Sequence, residues 1–129
     1  MKKCILSFDY GESRIGVAIY EDGETKPLQT IQSSELWPTI TELILDYKPD
    51  ELVVGRPRNM NGDPTRQTDL AKAFADSLAQ ITQLPVSLQD EALSSERALD
   101  RIGKKTTIKE RKRIIDQIAA QIILEDYLS

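Results

Sequence analysis

Residues 4–31 read CILSFDYGESRIGVAIYEDGETKPLQTI, a stretch of short apolar and β-branched runs separated by turn residues. Cys4–Tyr10 and Arg14–Tyr20 have the length and composition of buried strands. Asp22-Gly23 is a strong signal for a tight hairpin, and Thr25–Ile31 follows it as a third strand. This part of the chain therefore predicts a three-stranded antiparallel meander.

Beyond the meander, the hydrophobic period lengthens from two residues to between three and four, which indicates helices. The first predicted helix runs from Leu36 to Tyr47, and the second is capped by Asp63, opens at Pro64 and stops near Leu84-Pro85. A short third helix is capped by Ser94 or Ser95 and ends at Gly103. The last helix runs from a Thr107–Glu110 capping box to about Tyr127. Two more strands are predicted at Glu51–Gly55 and Val86–Asp90. The order predicts an α/β fold in one domain, residues 1–129, with a five-stranded mixed sheet (the meander plus two parallel strands) flanked by helices in three layers.

The composition restricts the chemistry that this chain can perform. It has 129 residues with no histidine and one cysteine, which excludes histidine-based triads, zinc sites and an intrachain disulfide. Hydrolytic chemistry must then rest on carboxylates. No apolar run approaches the ~20 residues of a membrane span and no export signal is visible, so we expect a cytoplasmic protein with no membrane partner.

The charge is distributed unevenly along the chain. The formal net charge is −4, yet between residues 97 and 113 eight basic side chains stand against two acidic ones. This local balance of +6 leaves −10 on the remainder. Such a run is typical either of a solvated helix surface with paired charges or of a surface that binds a polyanion.

Acidic residues lie where the predicted strands end, and one lies in the last helix. Asp9 follows an apolar run, Asp90-Glu91 ends the fifth strand, and Asp116 precedes Ala119 and Ala120 by one helical turn. These alanines allow the helix backbone to approach the sheet closely, so the carboxylates can converge. Without histidine or thiolate, such a group suits a hard cation such as Mg²⁺ or Mn²⁺, a pair of which can support phosphodiester cleavage.

Each acid also has a plainer interpretation. Asp9 is compatible with an Asx turn, Asp90-Glu91 with a helix cap, and Asp116 with an ion pair to Lys112 on a solvent face. For any one acid alone the plainer interpretation is favoured. Their joint placement on the first strand, the fifth strand and the last helix favours a shared site.

Four motifs in this order resemble one family and together cover nearly the whole chain. They are Phe8-Asp9-Tyr10-Gly11 with Arg14-Ile15-Gly16-Val17-Ala18, then Val54-Gly55-x-Pro57-x-Asn59-Met60-x-Gly62, Asp90-Glu91-x-Leu93-Ser94-Ser95, and Asp116-x-x-Ala119-Ala120-x-x-Ile123-Leu124. The sequence is similar to the YqgF family. That resemblance implies a ribonuclease-H-like fold like that of Holliday-junction resolvases, and members of the family are described as pre-16S ribosomal RNA nucleases.

The resemblance also implies site residues. It assigns the metal-binding, catalytic acids to Asp9, to Asp116 and to the acid pair between them, where Glu91 is favoured and Asp90 stays open because strand alternation puts the two on opposite faces. The implied cofactor is Mg²⁺ or Mn²⁺. The residues expected to contact nucleic acid are Arg14, Arg56, Arg58, Asn59, Lys104, Lys105, Lys109 and Lys112.

The chain departs from the family pattern beside the acid pair. Ala92 stands where the family normally has arginine, whereas Arg56 and Arg58 stand where apolar residues are typical, and these two are expected to take over part of the missing charge. Exchanging Ala92 for Arg in a cleavage assay tests whether that side chain matters.

The predicted function is metal-dependent nuclease action on structured or precursor RNA, with branched DNA as the alternative substrate. The chain is expected to work as a monomer or a homodimer, since a resolvase needs two sites. A nucleic-acid-binding ribosome-biogenesis factor with little turnover remains open, and Ala92 favours it. A phosphate-binding domain of the actin and sugar-kinase type ranks low, because such proteins need two lobes.

Overall fold

The computed structural model describes residues 3–57, 65–91, 94–102 and 108–129, with the backbone alone for residues 94–95 and 108–113. Five strands form one sheet in the order β3-β2-β1-β4-β5. The strands are β1 (Ile5–Tyr10), β2 (Arg14–Glu21), β3 (Glu24–Gln32), β4 (Glu51–Arg56) and β5 (Val86–Asp90), and the helices are α1 (Leu36–Tyr47), α2 (Arg66–Thr82), α3 (Ser94–Ile102) and α4 (Ile108–Leu128). The predicted α/β class and element order are confirmed.

The sheet is mixed, as the sequence predicts. β1 pairs antiparallel with β2, and β2 with β3, whereas β4 runs parallel to both β1 and β5. The hairpin between β2 and β3 places Asp22 at φ 55° and Gly23 at φ 80°, which is the left-handed geometry that a two-residue turn between twisted strands requires. The meander is thereby confirmed down to its turn.

Helices cover both faces of the sheet. α1 and α2 bury one face, where Leu6, Phe8 and Val54 join a core with Phe74 of α2. α4 buries the other face in a second core that contains Ile5, Val53, Ala120 and Ile123, and α3 packs on α4 around Ala98. Alternate residues of β1 therefore point to different helical layers. Within the described residues, no helix combines the length and apolarity that crossing a bilayer requires.

Small residues bring α4 unusually close to the sheet. Ala119 and Ala120 are fully buried, and the Ser7 hydroxyl donates a 2.7 Å hydrogen bond to the Ala120 carbonyl. A Cβ atom added to Gly16 would lie 1.9 Å from the Asp116 carbonyl oxygen. The backbone of α4 thus touches β2 directly at Asp116, as the alanine pair predicts.

The start of α2 differs from the sequence prediction. The helix begins at Arg66 with Thr65 as its N-cap, whereas Asp63 and Pro64, the predicted cap and first residue, lie outside the described residues. The Thr65 side chain accepts from the Thr68 backbone N–H, and the Thr68 hydroxyl accepts from the Thr65 N–H and donates to the Pro57 carbonyl. A reciprocal threonine cap tied to the end of β4 therefore sets this boundary.

The last two helices agree with the prediction in their extent. α3 includes Ser94 and Ser95 in its first turn, so neither serine precedes the helix as a cap would. α4 begins at Ile108, directly after Thr107, which with Gly103 lies outside the described residues.

Candidate functional site

Asp9 lies near the end of β1 on the face that α4 covers. Ser7, two residues earlier, hydrogen-bonds to α4, and strand alternation puts Asp9 on the same face. In the sheet, Asp9 is the register partner of Gly16, which contacts the backbone of Asp116. The pairing of Phe8 with Val54 brings the end of β4 alongside from the other side. The site is therefore built where β1, β2 and β4 meet α4.

The electrostatics of Asp9 show that three carboxylates meet here. Its pKa is raised well above the ordinary 3.8, first because burial removes the carboxylate from water. The negative charge of Glu91, a side-chain hydrogen bond with Glu91 and the charge of Asp116 raise the pKa further. Asp9 and Glu91 thus share a hydrogen bond in which the proton on Asp9 is retained to higher pH.

Asp90, the last residue of β5, and Glu91, which follows it, lie on opposite faces of the sheet. Val86 and Leu88 pack against the core beneath α1 and α2, so alternation places Asp90 with them and Glu91 on the α4 face. The Asp90 carboxylate is 57% exposed and forms an ion pair with Arg56 at 2.6 Å. Glu91 therefore lies beside Asp9, whereas Asp90, the alternative metal ligand of the sequence analysis, lies on the opposite face.

Gly55 makes room for Glu91. A Cβ atom at Gly55 would stand 2.9 Å from Glu91 Cγ and 2.4 Å from Ile123 Cδ1. The Glu91 backbone N–H also donates to the Arg56 carbonyl at 3.1 Å, which continues the β4–β5 ladder by one bond. The absence of a side chain at position 55 therefore lets the Glu91 side chain cross β4 towards Asp9.

Asp116 is held by an arginine from β2. Arg14 Nε donates to Asp116 Oδ2 at 2.7 Å, and the two side chains are 37% and 18% exposed. The side chain of Lys112, the partner in the plainer expectation, lies outside the described residues. The Arg14 guanidinium thus offsets part of the negative charge of the cluster.

Carboxylate oxygens are the donors that Mg²⁺ and Mn²⁺ prefer, so the chemistry of Asp9, Glu91 and Asp116 fits such an ion. Across the described ranges, however, no three acidic, histidine or cysteine side chains already stand in a common metal-ligand arrangement. Two of the three acids are engaged with each other and the third with Arg14. The donor chemistry thus fits such an ion, while in this structure Asp116 is held by Arg14.

Comparison with known proteins places this geometry in a family. Residues 3–129 match the RuvX family, described as Holliday junction resolvase. The chain belongs to the RuvX family. A relative from Methylobacillus flagellatus, named "Putative pre-16S rRNA nuclease", is 44% identical and covers 96% of this chain and 89% of its own. A relative of the same name from Streptococcus agalactiae serotype III is 35% identical and covers 96% of both chains. The resemblance to YqgF proteins is thereby confirmed.

A solved structure supports the fold of this RuvX-family chain. T. thermophilus RuvC in complex with a Holliday junction substrate superposes with a TM-score of 0.62, covering 98% of this chain and 94% of that chain. The two sequences are 12% identical, so the likeness concerns architecture alone. It confirms the predicted ribonuclease-H-like fold.

The structure describes only some of the residues expected to contact nucleic acid in this RuvX-family chain. Arg14 pairs with Asp116 in the acid cluster, whereas Arg56 pairs with Asp90 on the opposite face of the sheet. Arg58, Asn59, Lys104 and Lys105 lie outside the described residues, as does Ala92. Lys109 and Lys112 belong to α4, where only their backbone is described.

Two arginines of the basic run, residues 97–113, form ion pairs with acidic residues of α4. Arg97 makes two hydrogen bonds to the Asp126 carboxylate, at 2.9 and 3.2 Å. Arg101 makes two to the Glu125 carboxylate, at 2.5 and 3.3 Å. These two arginines bind α3 to α4, so the +6 balance read along the sequence overstates the charge that a partner would meet.

Sequence reasoning did not identify the role of Gly16 and Gly55 or the partner of Arg14. The signal for Gly16 was available, because Gly16 and Ala18 are small residues at alternate positions of a strand, which marks a face that a helix approaches closely. The partner of Arg14 carried no such signal, since Asp116 is 102 residues away.

Proposed function

We propose that this chain is a nuclease that hydrolyses phosphodiester bonds with the help of divalent cations and acts in the processing of precursor ribosomal RNA. The observation that carries the proposal is the convergence of Asp9, Glu91 and Asp116, from β1, the end of β5 and α4, on one edge of the sheet. A partly buried acid cluster is costly for folding, so its presence favours a function in binding cations.

In this proposal Asp9, Glu91 and Asp116 hold Mg²⁺ or Mn²⁺. When bound, these ions stabilise negative charge on the attacking and leaving oxygens of the phosphodiester. Because the pKa of Asp9 is raised by burial and by Glu91, metal loading competes with protonation of Asp9 and should strengthen as pH rises. Gly16 and Gly55 position the carboxylates by allowing α4 and Glu91 to come close to the sheet.

The substrate class follows from charge and from the relatives. Arg14, 37% exposed, lies on the acid cluster, where a phosphate backbone can meet it, and Arg56, 32% exposed, lies at the same edge of the sheet beside Asp90. Arg58, Asn59, Lys104, Lys105, Lys109 and Lys112 complete the proposed nucleic-acid-binding set. The relatives named for pre-16S rRNA favour a structured RNA precursor.

A branched DNA substrate is the second candidate, and the family description favours it. A junction resolvase cuts two strands symmetrically and therefore requires a two-fold dimer with two centres. RNA trimming requires one centre. The oligomeric state under assay conditions thus separates the two candidates independently of the cleavage products.

The test is a cleavage assay in Mn²⁺ on a pre-16S rRNA fragment, a four-way DNA junction and linear duplex DNA. We expect Asp9→Asn and Glu91→Gln to lose more than a hundredfold in rate, whereas Asp90→Asn, the adjacent acid that pairs with Arg56, retains most of it. Equal background cleavage by the parent and Asp9→Asn contradicts the proposal and favours a binding factor. Equal losses at positions 90 and 91 contradict the assignment of Glu91.

A further inference from the structure

The ion pair between Arg14 and Asp116 joins the first residue of β2 to the middle of α4 inside the acid cluster. The guanidinium uses its Nε–H on Asp116 Oδ2 at 2.7 Å. This approach leaves the terminal N–H donors of the guanidinium for other acceptors, because a guanidinium carries several donors in a fixed fork. Arg14 therefore combines a half-buried contact with a solvent-facing end, 37% exposed.

The charges that surround this pair are unbalanced. Asp116 has Asp9 as a close acidic neighbour, and Asp9 in turn lies against Glu91. The other arginine at this edge, Arg56, pairs with Asp90 on the opposite face. Among the side chains that the structure describes, Arg14 is the cation that contacts the cluster.

We propose that Arg14 is an exchangeable counter-cation, which holds Asp116 while the site lacks metal and transfers its guanidinium to a substrate phosphate when a divalent cation takes that carboxylate. This inference rests on the proposed metal-dependent nuclease function. One cation replaces another at Asp116, so neither state leaves the carboxylate without a positive partner. The released guanidinium gains the phosphate that the metal-loaded site attracts.

The exchange couples two binding events. Metal competes with Arg14 for Asp116, and phosphate competes with Asp116 for Arg14. Each ligand therefore favours the other, and the coupling is reciprocal by thermodynamic necessity. Nucleic acid then strengthens metal binding, and metal strengthens nucleic-acid binding.

The first experiment titrates Mn²⁺ alone into the full-length chain by calorimetry. Arg14→Gln removes the competitor, so we expect Mn²⁺ to bind roughly tenfold more tightly, in line with the loss of one charge-assisted hydrogen bond. Arg14→Lys keeps a cation and should bind Mn²⁺ within about threefold of the parent. Arg66→Gln is the matched control, because Arg66 is 81% exposed and pairs only loosely with Glu12 at 3.9 Å.

The second experiment measures the affinity of a DNA oligonucleotide with and without Ca²⁺, which also takes oxygen ligands, after electrophoresis has shown the strand to be intact. We expect the Ca²⁺-dependent gain in affinity to shrink several-fold in Arg14→Gln. Opposite changes in the two experiments, with tighter metal and weaker nucleic acid, distinguish exchange from a structural role, which would weaken both. Circular dichroism checks that each variant is folded.

Failure of the inference is distinguishable from failure of the proposed function. If the parent binds Mn²⁺ and Arg14→Gln binds it equally or less tightly, the exchange is wrong and the metal centre stands. If neither the parent nor any variant binds Mn²⁺, the metal centre is wrong and the exchange with it. If Arg14→Gln unfolds, Arg14→Lys carries the test. Mn²⁺ affinity within about threefold of the parent together with a retained Ca²⁺-dependent gain supports the exchange, whereas weaker binding of both Mn²⁺ and the oligonucleotide in that folded variant would identify Arg14 as a structural residue and overturn it.

Discussion

At the scale of single residues, Asp9 links the site to the stability of the fold. The pKa of Asp9 is raised by burial, by Glu91 and by Asp116, so the folded state binds the proton more tightly than the unfolded chain does. For such a group, the free energy of unfolding falls as pH rises from the ordinary 3.8 through the raised pKa of the folded state. The free energy of unfolding at neutral pH is therefore lower than it would be without a carboxyl group at this position.

We expect Asp9→Asn to remove this pH dependence. In metal-free buffer with EDTA, the parent should lose stability relative to the variant as pH rises above the ordinary pKa of 3.8, because the Asp9 carboxyl must ionise beside Glu91 and Asp116. Urea unfolding at several pH values measures the difference. Asp76→Asn, at an exposed position of α2, is the control and should track the parent. A difference between Asp9→Asn and the parent that does not grow with pH would contradict the expectation.

Gly16 offers a steric test of the same centre. Gly16→Ala puts a methyl group where the Asp116 carbonyl oxygen lies, so α4 must shift, and we expect a loss of about 1–3 kcal/mol in the free energy of unfolding together with weaker Mn²⁺ binding. Gly23→Ala is the matched control, since its cost comes from a φ of +80° and no atom lies within 4 Å. It should lower stability and leave Mn²⁺ binding unchanged. Unchanged stability and metal affinity in Gly16→Ala would refute the close approach.

At the scale of elements, the threonine cap decides where α2 begins and joins it to the end of β4. Thr68 is buried, and its hydroxyl bonds to both the Thr65 N–H and the Pro57 carbonyl. We expect Thr68→Val to cost about 1–3 kcal/mol in stability, because two buried polar partners lose their hydrogen bonds. Thr68→Ser keeps the hydroxyl and should cost less than half as much. Urea unfolding of both variants decides the point, and equal costs would assign the effect to packing.

The ion pairs between α3 and α4 give Arg97 and Arg101 a structural role, so the proposed binding role falls to the other residues of the basic run. Exposed ion pairs contribute little, so Arg97→Gln with Arg101→Gln should lower stability by up to about 2 kcal/mol. Because both arginines already pair with α4, this double variant should change nucleic-acid affinity less than twofold, as measured by fluorescence anisotropy. Lys104→Gln with Lys105→Gln should weaken binding several-fold. The reverse ranking would contradict this division.

At the scale of the whole molecule, an acidic chain of net charge −4 is proposed to bind a polyanion. Binding must then depend on a local concentration of cations, and each neutralised phosphate releases counterions. We expect the affinity for nucleic acid to fall steeply between ~50 and 200 mM salt if six or more phosphates are neutralised. Binding curves at several salt concentrations measure the slope. A flat response would remove the phosphate-binding role from the basic run.

Local pattern was sufficient for most of the fold. Runs of apolar residues in β1 and β2, the Asp22-Gly23 turn and the helical spacing of α1 each depend on neighbours within a few residues. Strand and helix periods are properties of short segments, so they can be read without knowing what lies across the sheet. The start of α2 was mispredicted because its cap depends on a contact with Pro57 of β4.

The sequence by itself determined the elements, their order, the family and the acids of interest. Only the tertiary structure decided which of Asp90 and Glu91 lies beside Asp9. Alternation puts the two acids on opposite faces of the sheet, and the packing of α4 shows which face contains Asp9. It also decided that Arg14 holds Asp116 and that Arg97 holds Asp126, across 102 and 29 residues. Ion pairs between distant elements depend on how the layers stack, and no local period carries that information.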